Sequence, residues 1–366
     1  MTVGALNMFV LDAGAGNLAN RAAKLSNYIR NVMRSPDIIA VSEVFTLTEL
    51  GAVAAQITAD DPGVVYTPFL IDHNSTGFGI DVGFLIGADV EVDSIVQQGL
   101  GELHTFDNSP LHDRPPLLLE GRYTGNGLDF PFAVVAVHNR SLGGITDPVD
   151  GARVRNKRLE QAQSIAAKAQ TFQTGNPNTP YIIIGDFNAF QFTDGLVDVI
   201  GQISGNIDPA LNLVSGPDLV DPNLTNQVAD MALDTDKYSF VFRGNAGALD
   251  NVLTSSAADA YDRGVEFGRG NSDEAIDRIN DIGTANRSSD HDGIVFYMMT
   301  DFDGDGFPDD TDLCPFGAGD IADQFNNDSL VDGCIVPIPA TDYRGLMLLT
   351  LLLMTLGGAA IRRTIS

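Results

Sequence analysis

The chain has 366 residues, 44% of them hydrophobic and 19% charged, with a formal net charge of −28 at pH 7. That apolar content excludes a disordered chain, and two cysteines exclude a disulfide-dense scaffold or a four-cysteine zinc site. The acidity excludes a protein that grips nucleic acid on a broad basic surface, but not a hydrolase that reaches phosphate through a divalent metal.

The charge is unevenly spread. Residues 301–334 hold ten Asp, no Lys or Arg, and both cysteines, Cys314 and Cys334. Gly345 to Ile361 carries no charge and is followed by Arg362 and Arg363. Four parts follow: a large mixed domain over 1–300, an Asp/Cys segment over 301–334, a Pro-containing linker over 335–344, and an apolar helix with terminal arginines over 345–363.

In the large domain, residues 3–11 (VGALNMFVL) read as a buried strand. Leu18, Ala22, Leu25, Ile29, Val32 and Met33 recur at helical spacing over 18–33, with Asn17 as N-cap. DIIAVSEV (37–44) follows Pro36 as a strand. Further strand-like runs are DVGFLIG (81–87), PLLLEGRY (116–123), PFAVVAVHN (131–139), YIIIGDFN (181–188), ALDNVLTS (248–255) and GIVFYMM (293–299). A second helix is predicted over 153–170, where Leu159, Ala162, Ile165, Ala166 and Ala169 share a face. Many strands with few helices predict a layered α/β or α+β domain with stacked sheets.

Several of these runs carry residues able to do chemistry: Asn7 within the first, Glu43, His138-Asn139 and Asp186 with Asn188 at their ends, Asp250-Asn251 within ALDNVL, and Asp290-His291 just before the last. Polar groups at strand ends are the usual way to build a site on a rigid sheet rim. One such residue reads as a turn or cap; six in order along one chain do not. The other histidines, His73, His104 and His112, read as surface or loop residues. Arg153, Arg155, Lys157 and Arg158 form a basic cluster at the start of the second helix, read as either a contact to substrate phosphates or a solvated face.

The ordered set Ala-Leu-Asn7, Ser-Glu43-Val, Asp113-Arg114-Pro115, Val-His138-Asn, Gly-Asp186-Phe-Asn188, Leu-Asp250-Asn and Ser289-Asp290-His291 resembles the endonuclease/exonuclease/phosphatase superfamily, of deoxyribonuclease I-like fold, over residues 3–300. The resemblance implies a four-layer sandwich of two packed β-sheets flanked by helices, with the site at one edge. It implies Glu43 and Asp290 as ligands of Mg²⁺ (or Mn²⁺), with Asn7 nearby. Asp186 would orient or deprotonate water, and Asn188 would hold a phosphate oxygen. His291, its tautomer fixed by Asp250, and His138 would be the imidazoles at the phosphate, with Arg114 as a further phosphate contact. Asp81, in Gly-Ile-Asp-Val-Gly-Phe, has two readings: a carboxylate that orients His138 and a solvated strand-edge carboxylate. The chain departs from the family at the residue after His138, often apolar in relatives and here Asn139, followed by Arg140.

Residues 301–312, DFDGDGFPDDTD, place Asp301, Asp303, Asp305, the Phe307 carbonyl, Asp309 and Asp312 at the spacing by which EF-hand loops wrap Ca²⁺. With Cys314-Pro315 following, the segment resembles a thrombospondin type 3 calcium repeat, and pairing of Cys314 with Cys334 in an oxidising compartment goes with that resemblance. Gly345–Ile361 is just long enough to span a bilayer, and the arginines after it fit a cytoplasmic stop. With Pro337 and Pro339 before it, this tail resembles bacterial PEP-CTERM and IPTL sorting signals, which implies export, transient anchoring and contact with a processing machinery. Met-Thr-Val-Gly at the start is no export signal, so the expectation is a signal lying upstream; the alternative is a leaderless protein inserted by its tail.

The expected function is therefore a metal-dependent phosphodiester hydrolase, a secreted or surface-anchored bacterial nuclease that acts as a monomer and meets nucleic acid transiently. The rival readings are a sphingomyelinase- or inositol-phosphate-type phosphohydrolase and a catalytically inactive calcium-dependent adhesin.

Overall fold

The computed structural model describes residues 1–12, 17–73 and 79–299. The expectations placed on Asp301, Asp303, Asp305, Phe307, Asp309, Asp312, Cys314, Cys334 and the apolar helix at 345–363 lie outside the described residues. Among the described residues, no helix is long and apolar enough to cross a membrane.

The described residues form fourteen strands: β1 (Thr2–Leu11), β2 (Ile38–Val44), β3 (Tyr66–Leu70), β4 (Asp81–Gly87), β5 (Val90–Gln97), β6 (Leu117–Tyr123), β7 (Phe130–His138), β8 (Tyr181–Asp186), β9 (Thr225–Asn226), β10 (Phe240–Phe242), β11 (Asn245–Gly247), β12 (Asp250–Thr254), β13 (Asp262–Gly268) and β14 (Gly293–Met298). The helices are α1 (Leu18–Asn31), α2 (Leu47–Asp60), α3 (Gly151–Gly175), α4 (Val199–Ser204) and α5 (Ser256–Asp259). Two six-stranded sheets run in the orders β13-β14-β1-β2-β4-β3 and β5-β6-β7-β8-β12-β9, and β10-β11 form a separate hairpin.

The central strands are continuous apolar runs because both their faces are covered. Val3, Ala5, Ile38 and Phe84 of the first sheet meet Leu119, Phe132, Val134 and Ile184 of the second in the inter-sheet core. The outer face of the first sheet packs on α1 and α2 through Leu25, Ile29, Val53 and Ile57. The outer face of the second packs on α3 and α4 through Ala162, Ile165, Ala166 and Ile203. This is the helix–sheet–sheet–helix sandwich expected from the motifs.

Most strand-like runs fall where the sequence placed them, and the helix expected over 153–170 runs longer, from Gly151 to Gly175. Helix α2 lacked a sequence assignment. Its start is a capping arrangement in which the Thr46 side chain accepts from the Thr48 N–H and its hydroxyl donates to Glu49. Leu50, Val53, Ala54 and Ile57 then make its buried face.

Two connections bear on function. The β5–β6 loop is pinned to α3: the buried His104 ring contacts Asp107 (3.0 Å) and Asn156 (2.9 Å), and the buried His112 contacts Ser164 (2.9 Å). Both histidines thus sit on a loop, as expected, but inside the protein rather than on its surface. Ser164 and Lys168 both donate to Glu102 at 2.5 Å. Burial pushes the His112 ring below its ordinary 6.5, while the contact with His112 and the bonds from Lys168 and Ser164 hold Glu102 well below 4.5. Folding therefore resists protonation of both groups, and their stabilisation is lost as pH falls, for His112 from about 6.5 downward. The melting-temperature advantage of the wild type over His112→Gln is expected to shrink between pH 7 and pH 5, as read by thermal melts at each pH. A constant gap would contradict this.

Candidate active site

The sheets deliver their chemistry to one rim by register. His138 on β7 pairs with Asp186 on the parallel β8, and Asp250 on β12 pairs with Asp186 from the other side. Three titratable side chains thus stand in a row across adjacent strands. The closeness of these strands requires a glycine before Asp186. Gly185 has φ +139°, and a Cβ there would lie 2.4 Å from the Val137 carbonyl oxygen.

The other sheet contributes Asn7 of β1, Glu43 of β2, and Asp290-His291 just before β14. The β1–β2 pairing is irregular after Asn7, and Phe9, Val10 and Glu43 adopt positive φ of 48°, 52° and 59°. Such distortion at a strand end re-aims side chains and is held only when surroundings over-determine it. Here the Val10 N–H donates to Glu43 (3.0 Å), and the Phe9 N–H donates to the Asn7 side chain (2.9 Å). Buried Arg21 of α1 donates to the carbonyls of Met8 (2.6 Å), Phe9 (3.2 Å) and Ser288 (3.2 Å), tying the β1 end to the loop that carries Asp290. Nothing in the sequence pattern of α1 marks Arg21 for that task.

Two hydrogen bonds join the rims. Asn7 Nδ2 donates to Asp186 Oδ2 (3.1 Å), and His291 Nδ1 meets Asp250 Oδ2 at 2.7 Å. Ser289 Oγ donates to the Asn7 carbonyl (2.5 Å) and accepts from the His291 N–H (3.1 Å), which fixes the imidazole from its backbone side. Asn271, fully buried, holds the same loop: its Oδ1 accepts from Ser288 N–H (2.8 Å), and its Nδ2 donates to the His291 carbonyl (2.8 Å).

The electrostatics follow from crowding. Burial, with the nearby Asp250 and Glu43 carboxylates, pushes Asp186 up to about 7 against the opposing pull of His291. Burial opposes the charge on His291, but Asp250 together with Asp186 and Asp290 outweighs it and raises the imidazole to about 10. His138 is fully enclosed and is driven well below 6.5 by burial, with Arg114 and His291 adding to the shift. Its Nε2 lies 3.6 Å from Asp186 and 3.9 Å from Glu43, while its Nδ1 has no hydrogen-bond partner among the described residues. Asp81 is buried, not solvated at a strand edge; it accepts from the His73 N–H (3.1 Å).

The remaining sequence-selected residues divide. Asn188, at φ +50°, donates its N–H to Asp186 (2.7 Å) and its side-chain amide to the Asn139 carbonyl (3.1 Å). Arg114 props the strand end through the carbonyls of His138 (3.1 Å) and Asn139 (3.0 Å). Of the basic cluster, Arg153 and Lys157 border the cleft. Arg153 is paired with Asp150 (2.7 Å) and Lys157 with Asp113 (2.7 Å). Arg155 and Arg158 are turned to backbone carbonyls, Ile145 and Arg140 respectively, and are not part of the cleft lining. Of the strand-end residues, Glu43, His138, Asp186, Asn188, Asp290 and His291 line a cleft of about 1000 Å³; Asn7 and Asp250 bond directly to two of these, and Asn139 and Asn251 are not part of the lining.

Among the described residues, no three His, Cys, Asp or Glu side chains group closely enough to cage a metal. The donor set fits a Mg²⁺-type ion all the same. Such an ion keeps several waters and takes only one or two carboxylates plus substrate phosphate. Glu43 and Asp290 both line the cleft and are hard oxygen donors.

No family model matches the sequence, and no curated protein matches it. Solved structures do match the fold. Truncated TDP2 from Caenorhabditis elegans superposes with a TM-score of 0.51 at 16% identity, covering 81% of this chain and 97% of that one. An endonuclease/exonuclease/phosphatase from Bacteroides vulgatus gives 0.53 at 13%, covering 81% and 97%. D. rerio TDP2 complexed with single-strand DNA product gives 0.51 at 15%, covering 82% and 99%. The described residues therefore have the endonuclease/exonuclease/phosphatase fold.

Proposed function

We propose that residues 1–300 are a metal-dependent phosphodiester hydrolase acting on nucleic acid. The observation that carries this reading is the pair of cross-sheet contacts, Asp250–His291 and Asn7–Asp186. They set a positioned imidazole beside a buried carboxylate at the floor of an Arg-bordered cleft. The TDP2 structure with a single-strand DNA product, on the same fold, supports a nucleic-acid substrate.

Each residue then has a task. Asp186, held by Asn7 and the Asn188 N–H, orients the attacking water and takes its proton. Water oxygen bonds to phosphorus as the ester P–O bond breaks. Asp250 fixes the His291 ring so that Nε2 faces the phosphate and donates to its developing charge. His138, kept neutral by burial, lines the same wall. Glu43 and Asp290 would hold a Mg²⁺- or Mn²⁺-type cation, which when bound neutralises phosphate charge.

The test is a substrate panel with the full chain in Mg²⁺, Mn²⁺ or EDTA: plasmid DNA, RNA, sphingomyelin vesicles and inositol phosphates. Metal-dependent cleavage of nucleic acid is expected. Choline-phosphate or inositol-phosphate turnover without nucleic-acid cleavage would move the assignment to the lipid or inositol reading.

We further propose that the protein is exported and held at the bacterial surface. The support is the sequence of residues 301–366: the Asp spacing suited to Ca²⁺, the cysteine pair, and the apolar run ending in two arginines. Calcium titration calorimetry on the full chain and thiol counting before and after reduction read the first two. Fractionation of the producing cells reads the third, and recovery in the cytosol would reject it.

A further inference from the structure

The cleft lining joins two unlike groups of side chains: the cations Arg114, Arg140, Arg153 and Lys157, and the rings Phe190, Phe240 and Phe242. Arg114 is turned to the His138 and Asn139 carbonyls. Lys157 is neutralised by Asp113 and Arg153 by Asp150, with Asp107 at 3.5 Å. Arg140 differs. Its guanidinium donates only to Ser141 Oγ (2.9 Å) and the Gly143 carbonyl (3.1 Å), and among the described residues it forms no ion pair with a carboxylate. Its backbone is anchored on both sides by buried α3 residues: its N–H donates to Gln161 (2.8 Å), and its carbonyl accepts from Arg158. Asp150, already paired with Arg153, is the carboxylate whose charge reaches Arg140, so a cation held by its backbone beside the cleft stays without a carboxylate of its own. It marks a place for an anion.

The aromatic group is a stepped series of flat faces. The Phe240 ring lies 4.7 Å from the His291 ring, and Phe242 stacks on Phe240 at 6.4 Å with 14° between planes. The Arg243 guanidinium lies over Phe242 at 5.1 Å, and Arg243 likewise forms no ion pair among the described residues. Phe242 is 59% exposed, although a ring that size is normally covered. The series leads from the catalytic imidazole to the tip of the β10–β11 hairpin.

Resting on the phosphodiesterase reading above, we propose that Arg140 and the hairpin tip, Phe242 with Arg243, form a subsite for the nucleotides flanking the scissile bond. Arg140 takes a neighbouring backbone phosphate, and Phe242 stacks an unpaired base. The preferred substrate is then a single strand with more than one phosphodiester. In a duplex the bases are already stacked on one another, so the Phe242 face is used only by a base outside the helix. The anion-binding charge at this end of the cleft is therefore Arg140, next to Arg114 on the His138 and Asn139 carbonyls, rather than the paired cations of α3.

The test compares kcat/KM for a single-stranded 12-mer, the same 12-mer in a duplex, and bis(p-nitrophenyl) phosphate, which has one phosphodiester and no base. It uses the full chain and the variants Arg140→Gln and Phe242→Ala. The wild type is expected to prefer single strand to duplex. Each variant is expected to lower the 12-mer to bis(p-nitrophenyl) phosphate ratio of kcat/KM by about tenfold. Arg140→Gln should also reduce the salt slope of 12-mer binding by about one, as measured by fluorescence anisotropy in EDTA. An unchanged ratio with an unchanged salt slope would overturn the proposal. So would a Phe242→Ala variant that loses turnover of sphingomyelin vesicles while keeping that of the 12-mer, which would make the tip a membrane contact. A wild type that cleaves neither diester refutes the phosphodiesterase reading itself, whereas the anisotropy arm still reads the subsite.

Discussion

Asp186→Asn is expected to lower phosphodiester turnover by about 10²- to 10⁴-fold, the range for a lost acid–base group, while leaving the protein as heat-stable as the wild type or more so. The asymmetry follows from the surroundings. Asp186 is almost completely buried, and the charge on it is opposed by burial and by Asp250 and Glu43, which together push it up to about 7. An amide of the same shape keeps an oxygen for the Asn188 N–H (2.7 Å). It loses the acceptor for Asn7 Nδ2, a modest cost, and removes the like-charge crowding, a gain. A variant that is inactive because it is misfolded would melt early. Turnover on bis(p-nitrophenyl) phosphate and a thermal melt on the same preparation separate the two cases.

His291→Ala is expected to fail in the opposite way, losing activity and stability together. The turnover loss is about 10²- to 10³-fold, as for other single donors to a developing oxyanion. The stability loss arises because Asp250 is 1% exposed and would be left as a buried carboxylate without its 2.7 Å partner. Breaking one side of a buried pair costs about 3–5 kcal/mol. Adding Asp250→Asn to His291→Ala should recover much of that stability, since the stranded charge is gone, but none of the turnover. Chemical denaturation of the wild type, both single variants and the double variant measures the coupling directly. Additive stability losses would mean that the pair is not a unit.

The site was legible because most members stand at or beside a strand end, Asp186 and His138 closing theirs, Asp250 opening its own, and because parallel and antiparallel pairing align strand ends. Asp186 and Asp250 are 64 residues apart in sequence yet directly opposite in register. Composition says nothing of that alignment, but strand-end position does. The sandwich was legible for a related reason: runs such as YIIIGD and FAVVAVH are too uniformly apolar to have a wet face.

The parts not legible depend on tertiary partners. The basic cluster at 153–158 looks available in sequence, but Asp113, 44 residues before Lys157, occupies that lysine, and Arg158 is spent on a backbone carbonyl. Arg140 is noted in sequence only as the residue that follows Asn139, and that it has no ion-pair partner among the described residues appears only when its neighbours are assembled. His104 and His112 are polar residues in a Gly- and Asp-rich loop, which suggests a surface. Burial comes from the α3 face that receives them. Arg21 reads as the polar side of an amphipathic helix until the strained end of β1 is brought against it.

The central claim is that Asn7, Glu43, His138, Asp186, Asp250, Asp290 and His291 form one phosphodiesterase centre. The most direct measurement is hydrolysis of bis(p-nitrophenyl) phosphate by the full chain in Mg²⁺ and Mn²⁺, against EDTA and against Asp186→Asn. Metal-dependent release of nitrophenolate that EDTA abolishes and Asp186→Asn cuts by about 10²-fold or more is the predicted result. Turnover that persists in Asp186→Asn at the wild-type rate would contradict the assignment.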